Sequence, residues 1–169
     1  MERIVVSDTN IFIDLVKLSI LPDLFSLPWE IHTTDFVMNE LVDTEQFSAV
    51  NSFRENGRLT VGKHSAEEVQ IIFNESGLPG CRLSPTDLSV ALYAHKNNFS
   101  ILTGDKRLKD HAQKEGIEVH GILFLFEAMV DNKIIPPAFA INLLTQLQAI
   151  NKWLPSDIIE KMIQQWSQR

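Results

Sequence analysis

The chain has a single cysteine, Cys81, in 169 residues. No internal disulfide can form, and no thiolate zinc cage can be built. With no base partner evident for Cys81, a cysteine nucleophile is not expected. There is no long apolar run. The longest, Gly121 to Val130, contains Glu127 and is too short to cross a bilayer. The opening Met-Glu-Arg-Ile-Val-Val has no basic region, apolar stretch and cleavage site of a secretory signal, so a cytoplasmic protein is expected. Positive charge is also short. Fifteen Lys and Arg stand against 22 Asp and Glu, a formal net charge of −7. Long non-specific nucleic-acid grooves are basic, so any nucleic-acid contact must be local, metal-assisted or supplied by a partner.

Several signatures are missing as well. There is no Gly-x-Gly-x-x-Gly and no phosphate-binding Gly-Lys-Ser/Thr loop. The five histidines, His32, His64, His95, His111 and His120, lack ligand spacing such as His-x-x-x-His and read as ordinary surface or core residues. Internal repeats and low-complexity segments are absent too.

What is present is one good core. Hydrophobic residues make up 44% of the chain, which suits one folded domain, residues 1–169. Short apolar strands alternate with amphipathic helices. Strands are predicted at Ile4–Val6, Ile31–Thr33, Leu59–Val61, Phe99–Thr103 and Ile117–His120. The first is apolar throughout, the pattern of a strand covered on both faces. Helices follow at Thr9–Leu18, after a Thr34 cap through Leu41, and after a Ser65–Glu68 capping box, with Val69, Ile72 and Phe73 inward and Gly77 as the stop. Ser84 caps a further helix with Pro85 in its first position. Asp105–Glu115 is helical and stops at Gly116. Three helices close the chain at Ile122–Asp131, Ala138–Ile150 and Asp157–Trp166, the last capped by Ser156. Alternating strands and helices imply α/β architecture: a central parallel sheet of about five strands in a three-layer α/β/α sandwich. The helices from about 138 to 169 are expected as a hairpin packed on the same core.

Four acids fall at strand ends or helix starts: Asp8, Glu40, Asp87 and Asp105. Open parallel sheets bind ligands beyond the carboxyl ends of their strands, where strand order reverses. Helices there run antiparallel to the strands, so their N-termini share that edge and favour anions. Taken singly, Asp8 and Asp105 read as helix caps, Asp87 as a capping-box member and Glu40 as a solvated helix residue. Joint placement on one edge gives a different reading. Clustered carboxylates repel unless a cation neutralises them, and oxygen ligands suit a hard divalent ion such as Mg²⁺ or Mn²⁺. That chemistry points to metal-assisted hydrolysis of a phosphodiester.

The motifs Asp8-Thr9-Asn10 with Ile13-Asp14-Leu15, Asn39-Glu40-Leu41, Asp87 at its helix start, and Thr103-Gly104-Asp105 resemble those of the PIN-domain nucleases. The stretch from Asp105-Lys106-Arg107-Leu108 to Gly121-Ile122-Leu123 is similar to the bacterial branch of that family. The resemblance implies strand order 3-2-1-4-5 and a Mg²⁺- or Mn²⁺-dependent endoribonuclease, often the toxin of a toxin–antitoxin pair. It implies Asp8, Glu40, Asp87 and Asp105 as an acidic quartet that holds the metal, Glu40 directly or through water. Asn10 and Thr103 would be supporting residues, and a small antitoxin and a homodimer are implied as partners. Lys106, Arg107 and Lys109 lie beside Asp105 as candidates for RNA phosphates, against the plain reading of a solvated helix face. Many toxins of this family carry a further acid two residues beyond the fourth. This chain has Arg107 there.

Two other readings compete. One is a PIN-like domain without activity that serves as a binding module in a nucleic-acid-processing assembly. The other is a haloacid-dehalogenase-like phosphohydrolase, which needs Asp-x-Asp after strand one; the residue here is Asn10.

Overall fold

The structure is a computed structural model and describes residues 3–169. Five strands form one parallel sheet: β1 (Arg3–Ser7), β2 (Trp29–Thr34), β3 (Leu59–Gly62), β4 (Ser100–Leu102) and β5 (Val119–His120), in the order β3-β2-β1-β4-β5. Val5 pairs with Ile31 on one side and Ser100 on the other; Ile101 pairs with Val119. Val5, Val6, Ile31, Ile101 and Leu102 are all buried, as a sheet covered on both faces requires.

The chain passes from β1 through β2 to β3 in one direction, then returns across the sheet to β4 and β5. Right-handed crossovers therefore put the connecting helices on opposite faces. The first stretch carries α1 (Thr9–Lys17), α2 (Leu21–Leu24), α3 (Asp35–Glu40) and α4 (Thr44–Glu55). The return stretch carries α5 (Ala66–Ser76), α6 (Pro85–Asn97) and α7 (Lys106–Lys114). The contacts agree for α6, which lies on β1, β2 and β4, and for α1, which packs with α2 and α4, while α3 touches both α1 and α6. Three helices follow: α8 (Ile122–Asp131), α9 (Pro137–Ile150) and α10 (Ser156–Trp166). Leu143, Leu144, Leu147, Ile159 and Trp166 join the same hydrophobic cluster as the sheet residues.

Local chemistry sets the helix ends. Asp8, Thr34, Asp43, Ser65, Ser84 and Asp105 each accept a backbone N–H at a helix start, and the Ser65 and Ser84 boxes are both closed. Gly116 leaves α7 at φ +75°, a conformation that costs glycine little.

The structure departs from the sequence expectations at several places. Two helices, α2 and α4, form where none was predicted. Phe73 is 54% exposed instead of inward, with its ring 6.0 Å from that of Phe36. β5 is only two residues long. At α10 the cap position is Pro155 with no side-chain bond, and Ser156 is the first helical residue.

Candidate active site

Strand order reverses between β1 and β4, so the crevice at their carboxyl ends is where a ligand site belongs in this topology. Asp8 follows β1 directly. Its backbone N–H donates to the Leu102 carbonyl at 2.9 Å, which fixes it at the mouth of that crevice. Its side chain is pinned twice. Thr9 N–H donates to Oδ1 at 2.8 Å and Thr103 Oγ1 donates to Oδ2 at 2.8 Å. Asp8 is only 5% exposed. Burial pushes its carboxyl up to about 6, and repulsion from Asp87 and Glu40 adds to the rise; the bonds from Thr103 and Thr9 pull against it.

Asp105 stands at the start of α7. Its Oδ1 accepts the N–H groups of Arg107 and Leu108 at 2.8 and 3.0 Å. Its own N–H donates to Thr103 Oγ1 at 3.0 Å. The Thr103 hydroxyl thus donates to one acid and accepts from the backbone of another. Asn10 braces the same loop, accepting Gly104 N–H at 3.3 Å on Oδ1.

Asp87 is the third residue of α6. Its Oδ2 accepts Ser84 N–H at 2.9 Å, and its N–H donates to Ser84 Oγ at 3.1 Å. Burial raises its carboxyl above the ordinary range, and repulsion from Asp105 and Glu40 raises it further, against the Ser84 bonds.

Glu40 lies in the first two turns of the helix after β2, as expected, and is also the last residue of α3. The helix is only six residues long, and Leu41 leaves it at ψ 80°. Thr9 Oγ1 then donates to Glu40 Oε2 at 3.0 Å. Thr9 was not singled out in the sequence, yet it ties two of the acids together, its N–H to Asp8 and its hydroxyl to Glu40. The signal for it was there: a hydroxyl directly after the strand-end aspartate.

Asp8 therefore lies in the fields of Asp87 and Glu40, and Asp87 in those of Asp105 and Glu40. Each has at least one carboxylate oxygen without a protein hydrogen bond or with room for a second partner. The donors are all oxygens, which suits a hard divalent cation. Burial and repulsion both raise Asp8 and Asp87, and a bound cation would relieve both. Among the described residues no three carboxylate, imidazole or thiol groups stand close enough to make a ready cage. A cation here would keep several of its own waters.

The cations at the rim are on α7. Lys106 Nζ is engaged by Asp110 Oδ2 at 2.9 Å in an exposed pair. Arg107 is exposed and has no carboxylate partner among the described residues.

Residues 4–168 match a family model described as a PIN domain. Among solved structures, a PilT N-terminus domain protein from the archaeon Sulfolobus solfataricus P2 is 11% identical with TM-score 0.46, the match covering 75% of this chain and 93% of that one. VapBC2 from Rickettsia felis, bound to a DNA fragment from their promoter, is 17% identical with TM-score 0.48, covering 70% of this chain and 98% of that one. FitAcB from Neisseria gonorrhoeae is 15% identical with TM-score 0.43, covering 68% and 95%. No curated protein matches the chain.

Proposed function

The chain belongs to the PIN-domain family, and from that membership we propose that it is a Mg²⁺- or Mn²⁺-dependent endoribonuclease acting as the toxin of a toxin–antitoxin pair. The coarse reaction of the family is nucleolytic hydrolysis of a phosphodiester. The observation that carries the finer reading is Asp8: a nearly buried carboxylate, doubly hydrogen-bonded, and raised by burial and by two neighbouring acids. Such a group is costly to the fold and suited to a cation.

Asp8, Asp87 and Asp105 would hold the ion, with Glu40 directly or through water. When bound, the ion would lower the pKa of a coordinated water and neutralise charge on phosphate oxygens. Thr103 and Thr9 hold the Asp8 carboxylate in one orientation, so its free lone pairs face the crevice without rotamer loss. Asp87, with its raised affinity for a proton, is suited to accept one from the attacking water. Glu40 is the alternative acceptor, aimed by Thr9. Arg107, with Lys106 and Lys109 on the same helix, would meet RNA phosphates, a local basic edge on an acidic chain.

The toxin role, a small antitoxin partner and a homodimer follow from the likeness of the stretch from Asp105-Lys106-Arg107-Leu108 to Gly121-Ile122-Leu123 to the bacterial branch of the family. We take the chain as one cytoplasmic PIN domain with α9 and α10 on the common core; no helix among the described residues is long and apolar enough to cross a membrane. The test is cleavage of a mixed structured RNA, beside single-stranded DNA of like length, with Mg²⁺, Mn²⁺ or EDTA. RNA cleavage that needs the metal is the expected result. Equal cleavage of DNA would remove the ribonuclease reading, and no cleavage of either would favour the binding module.

A further inference from the structure

His64 lies in the loop after β3, at the same sheet edge as the acids, and its side chain is fully buried. Its Nε2 lies 3.1 Å from the Ser89 carbonyl. A carbonyl can only accept, so Nε2 carries a proton. In the neutral ring Nδ1 is then a bare lone pair. It faces Asp35 Oδ1 at 3.6 Å, an ion-pair distance but too long for a hydrogen bond. Nδ1 is the one buried side-chain polar atom among the described residues without a hydrogen-bond partner. A lone pair against a carboxylate is repulsive; a protonated Nδ1 against the same carboxylate is attractive.

The surroundings show what this contact joins. Asp35 opens α3, the helix that ends in Glu40. Ser89 is on α6, two residues past Asp87. A second bridge already runs between these helices. Thr34 Oγ1 and Ser89 Oγ are 2.8 Å apart; Ser89 Oγ donates to Thr86 O at 2.7 Å, and Val37 N–H donates to Thr34 Oγ1 at 3.3 Å. That chain is buried and satisfied, and His64 is its one incomplete corner. Other titratable groups around His64 are already engaged. On α6 the Tyr93 ring lies 6.3 Å away with its hydroxyl 2.9 Å from His32 Nδ1, and His32 Nε2 is 2.7 Å from Glu30. On α3 the remaining neighbour is the Phe36 ring, edge-on at 5.6 Å. Lys63, next in the chain, is exposed, and Asp35 is the charged group within ion-pair distance of Nδ1 among the described residues.

We propose that His64 is a positioning residue worked by a proton: with Nδ1 protonated it bonds Asp35 and latches α3 to α6, and without that proton the latch is open. The latch sets where Glu40 sits relative to Asp87. Its consequence for the acids rests on their reading as a divalent-cation site; the latch itself does not.

Two readouts test it on the full chain. The ¹⁵N shifts of the His64 ring report the Nδ1 proton across pH, in wild type and in Asp35→Asn. The Nδ1 proton should be lost at lower pH in Asp35→Asn than in wild type, because the facing charge is gone. An unchanged His64 titration overturns the latch. Protonation of Asp8 at about 6 lowers Mn²⁺ affinity in both proteins, so the readout is the ratio of wild-type to His64→Asn affinity. It should change with pH as the His64 ring signals do, since the amide N–H in His64→Asn stands near the Nδ1 position at every pH. His64→Gln, which keeps a donor for Ser89, controls for loss of fold. A ratio that stays constant while the His64 ring signals change overturns the link to Glu40. If wild type binds no Mn²⁺ at any pH, the cation reading fails, and the nitrogen shifts still decide the latch.

Discussion

Thr103 and Asp8 are joined side chain to side chain across the β1–β4 crevice, with Thr103 Oγ1 donating to Asp8 Oδ2 at 2.8 Å. The same hydroxyl accepts Asp105 N–H at 3.0 Å, so one oxygen sets the relation of two acids. Thr103→Val keeps the shape and removes both bonds. It should cost about 1–3 kcal/mol of stability, the usual penalty for leaving buried partners unpaired. It should also raise the Asp8 carboxyl further, since the Thr103 bond holds it down. Thr103→Ser should restore both. Thermal unfolding and a carboxyl-carbon titration by NMR read the two effects.

Asp8 makes stability depend on pH in a direction opposite to most aspartates. Its carboxyl titrates at about 6 in the fold, against an ordinary value near 3.9. Folding therefore favours the protonated form. That stabilisation is complete below the unfolded value and is lost as pH rises through about 6. The difference corresponds to roughly 3 kcal/mol. In metal-free buffer at neutral pH, Asp8→Asn should thus melt higher than wild type, because it keeps the shape without the buried charge. Divalent cations should raise the Tm of wild type and leave that of Asp8→Asn nearly unchanged. A wild type that melts higher than Asp8→Asn without metal would contradict this.

Thr9 Oγ1 aims Glu40, and Glu40 is exposed. Thr9→Val should therefore change function more than stability. The lost bond to an exposed carboxylate is worth about 1 kcal/mol, or roughly fivefold in cation affinity. Isothermal titration with Mn²⁺ checks it, with Thr9→Ser as the variant that keeps the hydroxyl.

Arg107 is exposed at the start of α7, beside Asp105. If it meets phosphate, Arg107→Gln should raise KM for RNA with kcat nearly unchanged. The slope of log affinity against log salt should fall by about one. An unchanged salt slope would return Arg107 to the solvated face of its helix.

Much of this fold is written in short local signals. The apolar run Ile4–Val6 has the pattern of a doubly covered strand and lies in β1. Ser84-Pro85-Thr86-Asp87 closes the capping box it spells, and Gly116 supplies the left-handed turn after α7. Those signals act over three or four residues, so sequence carries them. Periodicity does not reveal the helix α4, because its apolar face is thin, with Val50 its one buried residue. Its cap was legible nonetheless, since Asp43 Oδ1 takes the N–H of Gln46. Phe73 was assigned inward by helical spacing, but α5 packs on α6 at the sheet margin, where only Ile72 is covered. The convergence of four acids follows from helix direction, which alternation implies, and from the strand order 3-2-1-4-5, which is implied by the family resemblance alone. The hydroxyls that orient them do not follow. Thr9 and Thr103 meet their partners over 31 and 95 residues of chain, and no local pattern encodes such contacts. The same holds for His64 and Asp35.

The central claim is that Asp8 organises a cation-dependent nuclease centre. The most direct measurement is RNA cleavage by purified wild type and Asp8→Asn, each with Mg²⁺, Mn²⁺ or EDTA, on protein shown to be folded by its Tm. The account predicts cleavage by wild type with metal, none with EDTA, and a loss of at least about a hundredfold in Asp8→Asn, the scale of removing a group that holds developing charge. Cleavage that survives in folded Asp8→Asn, or that proceeds in EDTA, would contradict it.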